Sequence, residues 1–258
     1  VLLHLSDLHF GTEQPDRVQA IRQFCLDHPP ELIVVSGDLT QRARLHQFYL
    51  CKQFLESLHC PYLVVPGNHD IPLYHVWRRF FSPFNRYQLF FGSPENVMQT
   101  EHFYVIGVNS IRPNYHTKGY VSTEQILRAT QLLQQAPEHL LKFIVVHQPF
   151  YTEPDDKHGS KDCPVLGEIA LQHWTKVGLN GLLHGHLHHS AVYDLNQLYQ
   201  LPGTQAVLDI HAGTALSFRL HHGQQNGFNL IYPDGKIDGF LFNPATQIFE
   251  KDQTLWKC

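Results

Sequence analysis

The feature that most constrains this 258-residue chain is a series of short apolar runs, each ending in a polar motif. Val1–Leu5 leads to Asp7-Leu8-His9, Glu31–Ser36 to Gly37-Asp38, and Tyr62–Val65 to Gly67-Asn68-His69-Asp70. Leu140–Val146 leads to His147, and Leu179–Leu183 to His184-Gly185-His186. Apolar runs of this length, bounded by glycine and polar residues, read as strands. Leu32-Ile33-Val34-Val35 is apolar throughout, the pattern of a strand covered on both faces. Between the first three runs, Arg17–His28 puts Val18, Ile21, Phe24 and Cys25 on one helical face, and Arg44–Leu58 does so with Leu45, Phe48, Leu55 and Leu58. The order β-α-β-α-β predicts a parallel sheet with right-handed crossovers. Sites on open parallel sheets form beyond the carboxyl ends of the strands. Asp7, Asp38 and Asn68 should therefore meet on one rim, with Gly37 and Gly67 letting the backbone turn beside a ligand.

Residues 71–101 break the rhythm with eight aromatic residues and three arginines, Arg78, Arg79 and Arg86. One reading is a lid or cap over the site; the other is a helix and turn packed on the sheet. His102–Val108 follows as a strand, and Ser122 with Gln125 predicts a capping box opening a helix through Gln135. Tyr151–Pro164, with Asp155 and Asp156, reads as a surface loop. A helix around Glu168–Val177 precedes the last motif. Ala191–Leu195, Ala206–Ile210, Asn226–Tyr232 and Ile237–Asn243 then read as strands, with Pro233-Asp234-Gly235 as a hairpin turn. No repeat or linker divides the chain, so residues 1–258 are expected to form one domain with a second sheet stacked on the first.

The net charge of −4 and the lack of a long basic run argue against a nucleic-acid duplex as partner. No 18-residue apolar stretch suggests a membrane span. Five scattered cysteines without a CxxC pair predict a reducing, cytoplasmic setting. The sequence opens at Val1 inside a strand without a methionine, which leaves a preceding segment open. Twenty histidines exceed what one dinuclear site can use, so most are expected to be structural.

The five motifs supply carboxylate, amide and imidazole ligands. Asp38 is the natural bridge, because a carboxylate can share its oxygens between two cations. Asp7 and His9 are two apart, and strand alternation would aim them the same way. Asn68, His147, His184 and His186 complete two coordination shells of mixed nitrogen and oxygen, which suit manganese, iron or zinc better than calcium or magnesium. Two ions about 3.5–4 Å apart can activate a bridging water for in-line attack, orient a phosphate and neutralise its growing charge. His69 is spare in the ligand count and can act as general acid or hydrogen-bond donor to the leaving group.

All five motifs, in this order and each after a strand, resemble the calcineurin-like metallophosphoesterases over Leu3 to His186. The resemblance implies an α/β fold, a four-layer α-β-β-α sandwich of two mixed sheets with the metal site at the strand C-terminal rim. It also implies two divalent or mixed-valence metal ions (Mn, Fe or Zn), one held by Asp7, His9, Asp38 and His186, the other by Asp38, Asn68, His147 and His184. Ser36–Thr40, Gly119–Gln125 and Ala212-Gly213-Thr214 are similar to bacterial cyclic-nucleotide phosphodiesterases. The implied activity is a dinuclear phosphodiesterase on a small phosphate ester, with a cyclic nucleotide as first candidate. A pyrophosphatase acting on a nucleotide-sugar lipid, a glycerophosphodiesterase and a metal-free interaction scaffold are the alternatives; a lipid-linked substrate is thus among the partners considered, and oligomeric state is left open. Where many relatives carry His-His-Pro this chain has His147-Gln148-Pro149, keeping the ligand but replacing the second histidine by a group that only hydrogen-bonds. Arg42, Arg44 and Arg219 are substrate candidates as anion clamps, with exposed helix or hairpin positions as the plain alternative. His221 and His222 accompany Arg219, and Asp70 is expected to steady a turn.

Overall fold

The computed structural model describes residues 1–154, 159–203, 205–220 and 223–252. Asp155, Asp156, His221 and His222 therefore lie outside the described residues.

The first sheet is built from β1 (Leu2–Leu5), β2 (Leu32–Val35) and β3 (Tyr62–Val64), joined through α1 (Pro15–Asp27) and α2 (Leu45–Glu56). β1 pairs parallel with β2, and β2 with β3, as the alternation of strand and helix requires. A second run of chain carries α3 (Val76–Phe81), α4 (Asn85–Phe91), β4 (Val97–Gln99), β5 (Phe103–Gly107), α5 (Thr123–Gln135) and β6 (Leu141–Val145). It continues through α6 (Gly159–Asp162), α7 (Gly167–Trp174), β7 (Gly181–His184), β8 (Ala191–Asp194), α8 (Leu195–Leu198) and β9 (Leu208–His211). The chain then returns to the first sheet as β10 (Gly227–Ile231), β11 (Ile237–Asn243) and β12 (Ile248–Asp252). The strand orders are β12-β11-β10-β1-β2-β3 and β4-β5-β6-β7-β9-β8. Both sheets are mixed: β10 joins β1 antiparallel, while β5, β6, β7 and β9 run parallel between the antiparallel edges β4 and β8.

Three layers of side chains hold the sheets and helices together. Leu2, Leu32, Val34 and Leu63 face Phe103, Val105, Phe143 and Val145 between the sheets. The alternate residues Leu3, Leu5, Ile33 and Val35 point the other way, onto Ile21, Phe48 and Leu55. On the far side of the second sheet, Ile106 and Ile144 meet Ile126, Leu133 and Trp174. The result is the four-layer α-β-β-α sandwich of two mixed sheets. Each fully buried aliphatic or aromatic side chain contributes about 1.5–3 kcal/mol against its exposed state. Ser122 caps α5 as its spacing predicts: its Oγ accepts from Gln125 N at 3.2 Å, and Gln125 Oε1 accepts from Ser122 N at 2.8 Å.

Residues 71–101 divide into two parts. Tyr87 is fully buried and donates to Val64 O at 2.9 Å, and Phe90 and Phe91 pack on the first core. Ahead of them, Tyr74, Trp77 and Phe81 stand exposed. No helix among the described residues is long and apolar enough to cross a membrane.

Candidate metal centre

The site forms where both sheets end. Asp7, His9, Asp38, Asn68, His147, His186 and His188 all lie two to four residues beyond the strand that delivers them. The first sheet contributes four of these residues and the second sheet three. Asp7, His9, Asp38, His186 and His188 have φ of 49°, 46°, 51°, 69° and 58°, a left-handed conformation that non-glycine residues seldom adopt. Each such residue costs on the order of 1–3 kcal/mol, and such strain is held where a site over-determines it. Asp7 and His9 therefore converge through two left-handed turns after β1, not through strand alternation: Asp7 N donates to Gly37 O at 3.1 Å and His9 N to Asp38 O at 2.9 Å.

Glycines sit where these side chains pass close by. A Cβ at Gly37 would meet His147 Nδ1 at 2.4 Å, one at Gly67 would meet Asp38 Oδ1 at 2.1 Å, and one at Gly185 would meet Asp7 Oδ2 at 2.3 Å. Asp70 steadies the Asp38 turn. Its carboxylate accepts from Leu39 N (3.0 Å), Thr40 N (2.8 Å), Thr40 Oγ1 (2.9 Å) and Gly67 N (2.9 Å).

The donor atoms fall into two groups that share Asp38. In one, His188 Nε2 lies 3.2 Å from both Asp7 Oδ1 and His9 Nε2, and His9 Nε2 lies 3.6 Å from Asp38 Oδ2. In the other, His147 Nε2 lies 3.0 Å from Asn68 Oδ1, 3.3 Å from His186 Nδ1 and 3.5 Å from Asp38 Oδ1. The remote nitrogens of three rings are already engaged: His147 Nδ1 with Ser36 O (2.9 Å), His188 Nδ1 with Arg219 O (2.7 Å) and His186 Nε2 with Asp162 Oδ2 (2.9 Å). Those nitrogens donate, so in its neutral form each ring turns a lone pair inward, toward carboxylate and amide oxygens. Acceptor facing acceptor at these distances is repulsive unless a cation lies between them. Ligands about 2.1 Å from an ion and at right angles to one another stand about 3.0 Å apart, so the spacing fits metal ligation.

Electrostatics agrees. Asp7 and Asp38 are fully buried; burial opposes their charge, yet His188 for Asp7 and His147 for Asp38 hold both carboxyls below their ordinary range. Burial lowers His147, and lowers His9 to about 3, so both are neutral and able to ligate. His188 moves up despite burial, because Asp7 favours its charged form. Positive charge is what this cavity calls for.

The structure corrects one assignment. His184 does not join the cluster. It is the last residue of β7, in register with His211 of β9 and fully buried; its neighbour Leu183 faces the other sheet, so strand alternation turns His184 to the opposite, helix-covered face. There its Nε2 is 2.9 Å from Asp209 Oδ1, while His211 Nε2 is 3.2 Å from Asp209 Oδ2 and Tyr151 N donates to Asp209 Oδ2 at 3.0 Å. Burial holds His211 at about 3, and Asp209 stays low against its burial because His184 faces it. His186 takes the place given to His184, and His188 the place given to His186. The signal was present in the sequence as Gly185-His186-Leu187-His188.

His69 stands beside the cluster, its ring 4.9 Å from that of His9 in an edge-on arrangement. Its backbone N donates to Asp38 Oδ1 at 2.8 Å, its Nδ1 is 2.9 Å from Gln41 O, and its Nε2 is 3.4 Å from Arg219 Nη1. Arg219 also donates to Gln41 Oε1 at 3.0 Å. Arg42 instead turns outward to Tyr74 OH at 2.6 Å, and Arg44 is exposed at the start of α2. Of the three arginines, Arg219 is the one the fold brings to His69.

The chain is 25% identical over 205 residues to a probable cyclic nucleotide phosphodiesterase of Synechococcus, a match covering 74% of each. It is 31% identical over 81 residues to a glycerophosphodiester phosphodiesterase of Enterobacter lignolyticus, covering 27% of this chain and 29% of that one. Its fold is that of a purple acid phosphatase from yellow lupin (TM-score 0.68, 14% identity, 97% of this chain and 52% of the other). It is likewise that of a dimetal phosphatase from Danio rerio (TM-score 0.57, 12% identity, 93% and 91%). Residues 1–190 match the family model of the calcineurin-like phosphoesterases, and the chain belongs to that family.

Proposed function

We propose that this chain is a dinuclear metal-dependent phosphodiesterase acting on a small phosphate ester, with a cyclic nucleotide as the first substrate to try. The observation that carries the reading is the pair of donor groups on either side of Asp38, whose Oδ2 faces His9 and whose Oδ1 faces His147. Bound there, two divalent ions would supply Lewis acidity toward a phosphoryl group and an acidified water. His69 accounts for the rest of the chemistry. Its Nδ1 is engaged by Gln41 O, and its Nε2 lies 3.4 Å from Arg219 Nη1, in a ring that lines the groove with Asn68. As the imidazolium, with Nδ1–H still held by Gln41 O, the ring can give its Nε2 proton to a departing alkoxide and become neutral. Arg219, anchored on Gln41, adds a guanidinium that can hold a non-bridging phosphate oxygen.

The glycerophosphodiester phosphodiesterase match motivates a second substrate, a glycerophosphodiester, which presents the same bond to the same groups. Manganese, iron and zinc all suit the nitrogen-rich ligand set. A reducing, cytoplasmic setting is part of the proposal and rests on the scattered cysteines. The test is hydrolysis of bis(p-nitrophenyl) phosphate, cyclic AMP and glycerophosphoethanolamine, before and after chelation and on re-addition of manganese. Activity should vanish with the chelator and return with the ion; turnover that resists chelation overturns the reading.

A further inference from the structure

α3 is turned inside out. Its buried residue is Arg79, whose guanidinium donates to Pro113 O (2.8 Å), Tyr115 O (3.0 Å) and Pro72 O (3.2 Å). These three carbonyls fix which side of the helix faces the protein. The opposite side carries Trp77 and Phe81, 77% and 76% exposed, and Val76, Phe80 and the preceding Tyr74 are exposed beside them. Trp77 and Phe81 are one helical turn apart, and their rings stack at 5.3 Å. Burying the arginine and exposing the aromatics reverses the usual order. Contiguous exposed apolar surface of this kind marks an interaction site.

Charge says what it meets. Residues 71–92 contain three arginines and no aspartate or glutamate, in a chain of net charge −4. Arg42 reaches into the same face, donating to Tyr74 OH and lying 5.3 Å from the centre of that ring. Arg42, Arg44 and Arg86 line a groove of 340 Å³ with Leu73 and Tyr74. A second copy docked two-fold here would set these cations against themselves. Anionic headgroups complement them, and tryptophan, tyrosine and phenylalanine beside arginine are the side chains that settle at a lipid–water boundary.

We propose that the face formed by Leu73–Phe81 docks the protein on a membrane surface rich in anionic phospholipid. The Arg42–Tyr74 contact places that surface beside the groove in which Asn68 and His69 open to solvent. The docking is independent of which phosphoester the site cleaves.

The test is co-sedimentation of the full chain with phosphatidylcholine vesicles, with and without phosphatidylglycerol, comparing wild type with Trp77→Ser/Phe81→Ser. The wild type should bind the phosphatidylglycerol vesicles at least about tenfold better than phosphatidylcholine alone, and less at high salt. The double variant should lose about tenfold in binding. It should keep its melting temperature and its rate on soluble bis(p-nitrophenyl) phosphate, since both side chains already face water. Absence of lipid-dependent sedimentation, or equal binding by the variant, overturns the proposal. So does sedimentation velocity showing a wild-type dimer that the double substitution breaks, which would give this face to a second copy.

Discussion

Histidines 184, 186 and 188 share one strand end and have different fates. His184 still belongs to β7, so the strand's pairing decides its direction, and it lies opposite His211 in the interior. His186 and His188 come after the last pair and are free to take the left-handed conformations that aim them at the rim. His188→Ala should reduce the metal bound, measured by elemental analysis, from two ions per chain toward one, and His186→Ala should do likewise. His184→Ala should leave the metal count unchanged and cost about 1–3 kcal/mol of stability, because Asp209 loses a buried donor. Metal loss in His184→Ala with retention in His188→Ala would reverse the assignment. His69→Ala should keep both ions and lose about 10²–10⁴-fold in turnover of alkyl phosphodiesters. The loss should be far smaller with p-nitrophenolate, which needs no proton to leave. At this scale the sequence was legible wherever a single motif followed a single strand, as at Asp38, Asn68 and His147. It misled where two histidine spacings overlapped around Gly185, since composition alone does not say where a strand stops.

Elements were legible in proportion to how completely they are buried. β2, β6 and β7 announce themselves as apolar runs, whereas β4 and β12 escape a reading by hydrophobicity, being edge strands with mostly exposed side chains. Residues 71–101 resisted for a related reason. Aromatic content predicts burial, and α4 obeys; α3 does not, because three backbone carbonyls capture Arg79 and set the orientation of the helix. The joints between elements are the more sensitive points. Gly185 separates β7 from both ligand histidines, and a Cβ there would come within 1.8 Å of Ser6 Oγ as well as striking Asp7. Gly185→Ala should cost about 1–3 kcal/mol and displace Asp7, seen as lost metal and a lower melting temperature. Gly167→Ala, whose Cβ meets nothing nearer than 3.5 Å, is the control and should be near wild type. At the opposite end of the sheets Glu31, just before β2, accepts from His102 N at 3.0 Å and pairs with His102 Nδ1 at 2.9 Å, just before β5. Burial would raise the Glu31 carboxyl, but bonds from Thr100 and His102 bring it down from 4.5 to about 2. A carboxyl lowered by folding stabilises the folded state above its unfolded pKa, and that contribution disappears as the pH falls toward the folded value. Glu31→Gln should therefore melt slightly below wild type at neutral pH, by at most about 1 kcal/mol for so exposed a pair. The gap should close between pH 4.5 and about 2; a gap that widens on acidification would rule the contact out as a stabilising one.

The whole molecule is two sheets that end together. Between them the packing is apolar, as Leu32 and Val34 against Phe143 and Val145 illustrate, and continues toward the rim as the buried pair His4 and Ser36, 2.9 Å apart. Above that layer the candidate ligands come from both sides, with Asp7, His9, Asp38 and Asn68 from the first sheet and His147, His186 and His188 from the second. This arrangement was legible as a topology, since strands that alternate with helices must place their carboxyl ends on one rim. The distances were not legible, because they depend on how far each turn swings its side chain past the strand end. Two ions held here would clasp the sheets together as well as do chemistry, so their removal should be felt by the entire fold. A ligand that binds the folded state alone, present at about a thousand times its dissociation constant, adds about 4 kcal/mol. For a chain of this size each kcal/mol moves the melting temperature by about 2–4 °C, so the chelated protein should melt about 10 °C lower than the metal-loaded one. Calorimetry should show a single transition in both states, because the ligand set belongs to neither sheet alone. Chelation that splits the transition in two, or leaves the melting temperature where it was, would mean that the site contributes nothing to the union of the sheets.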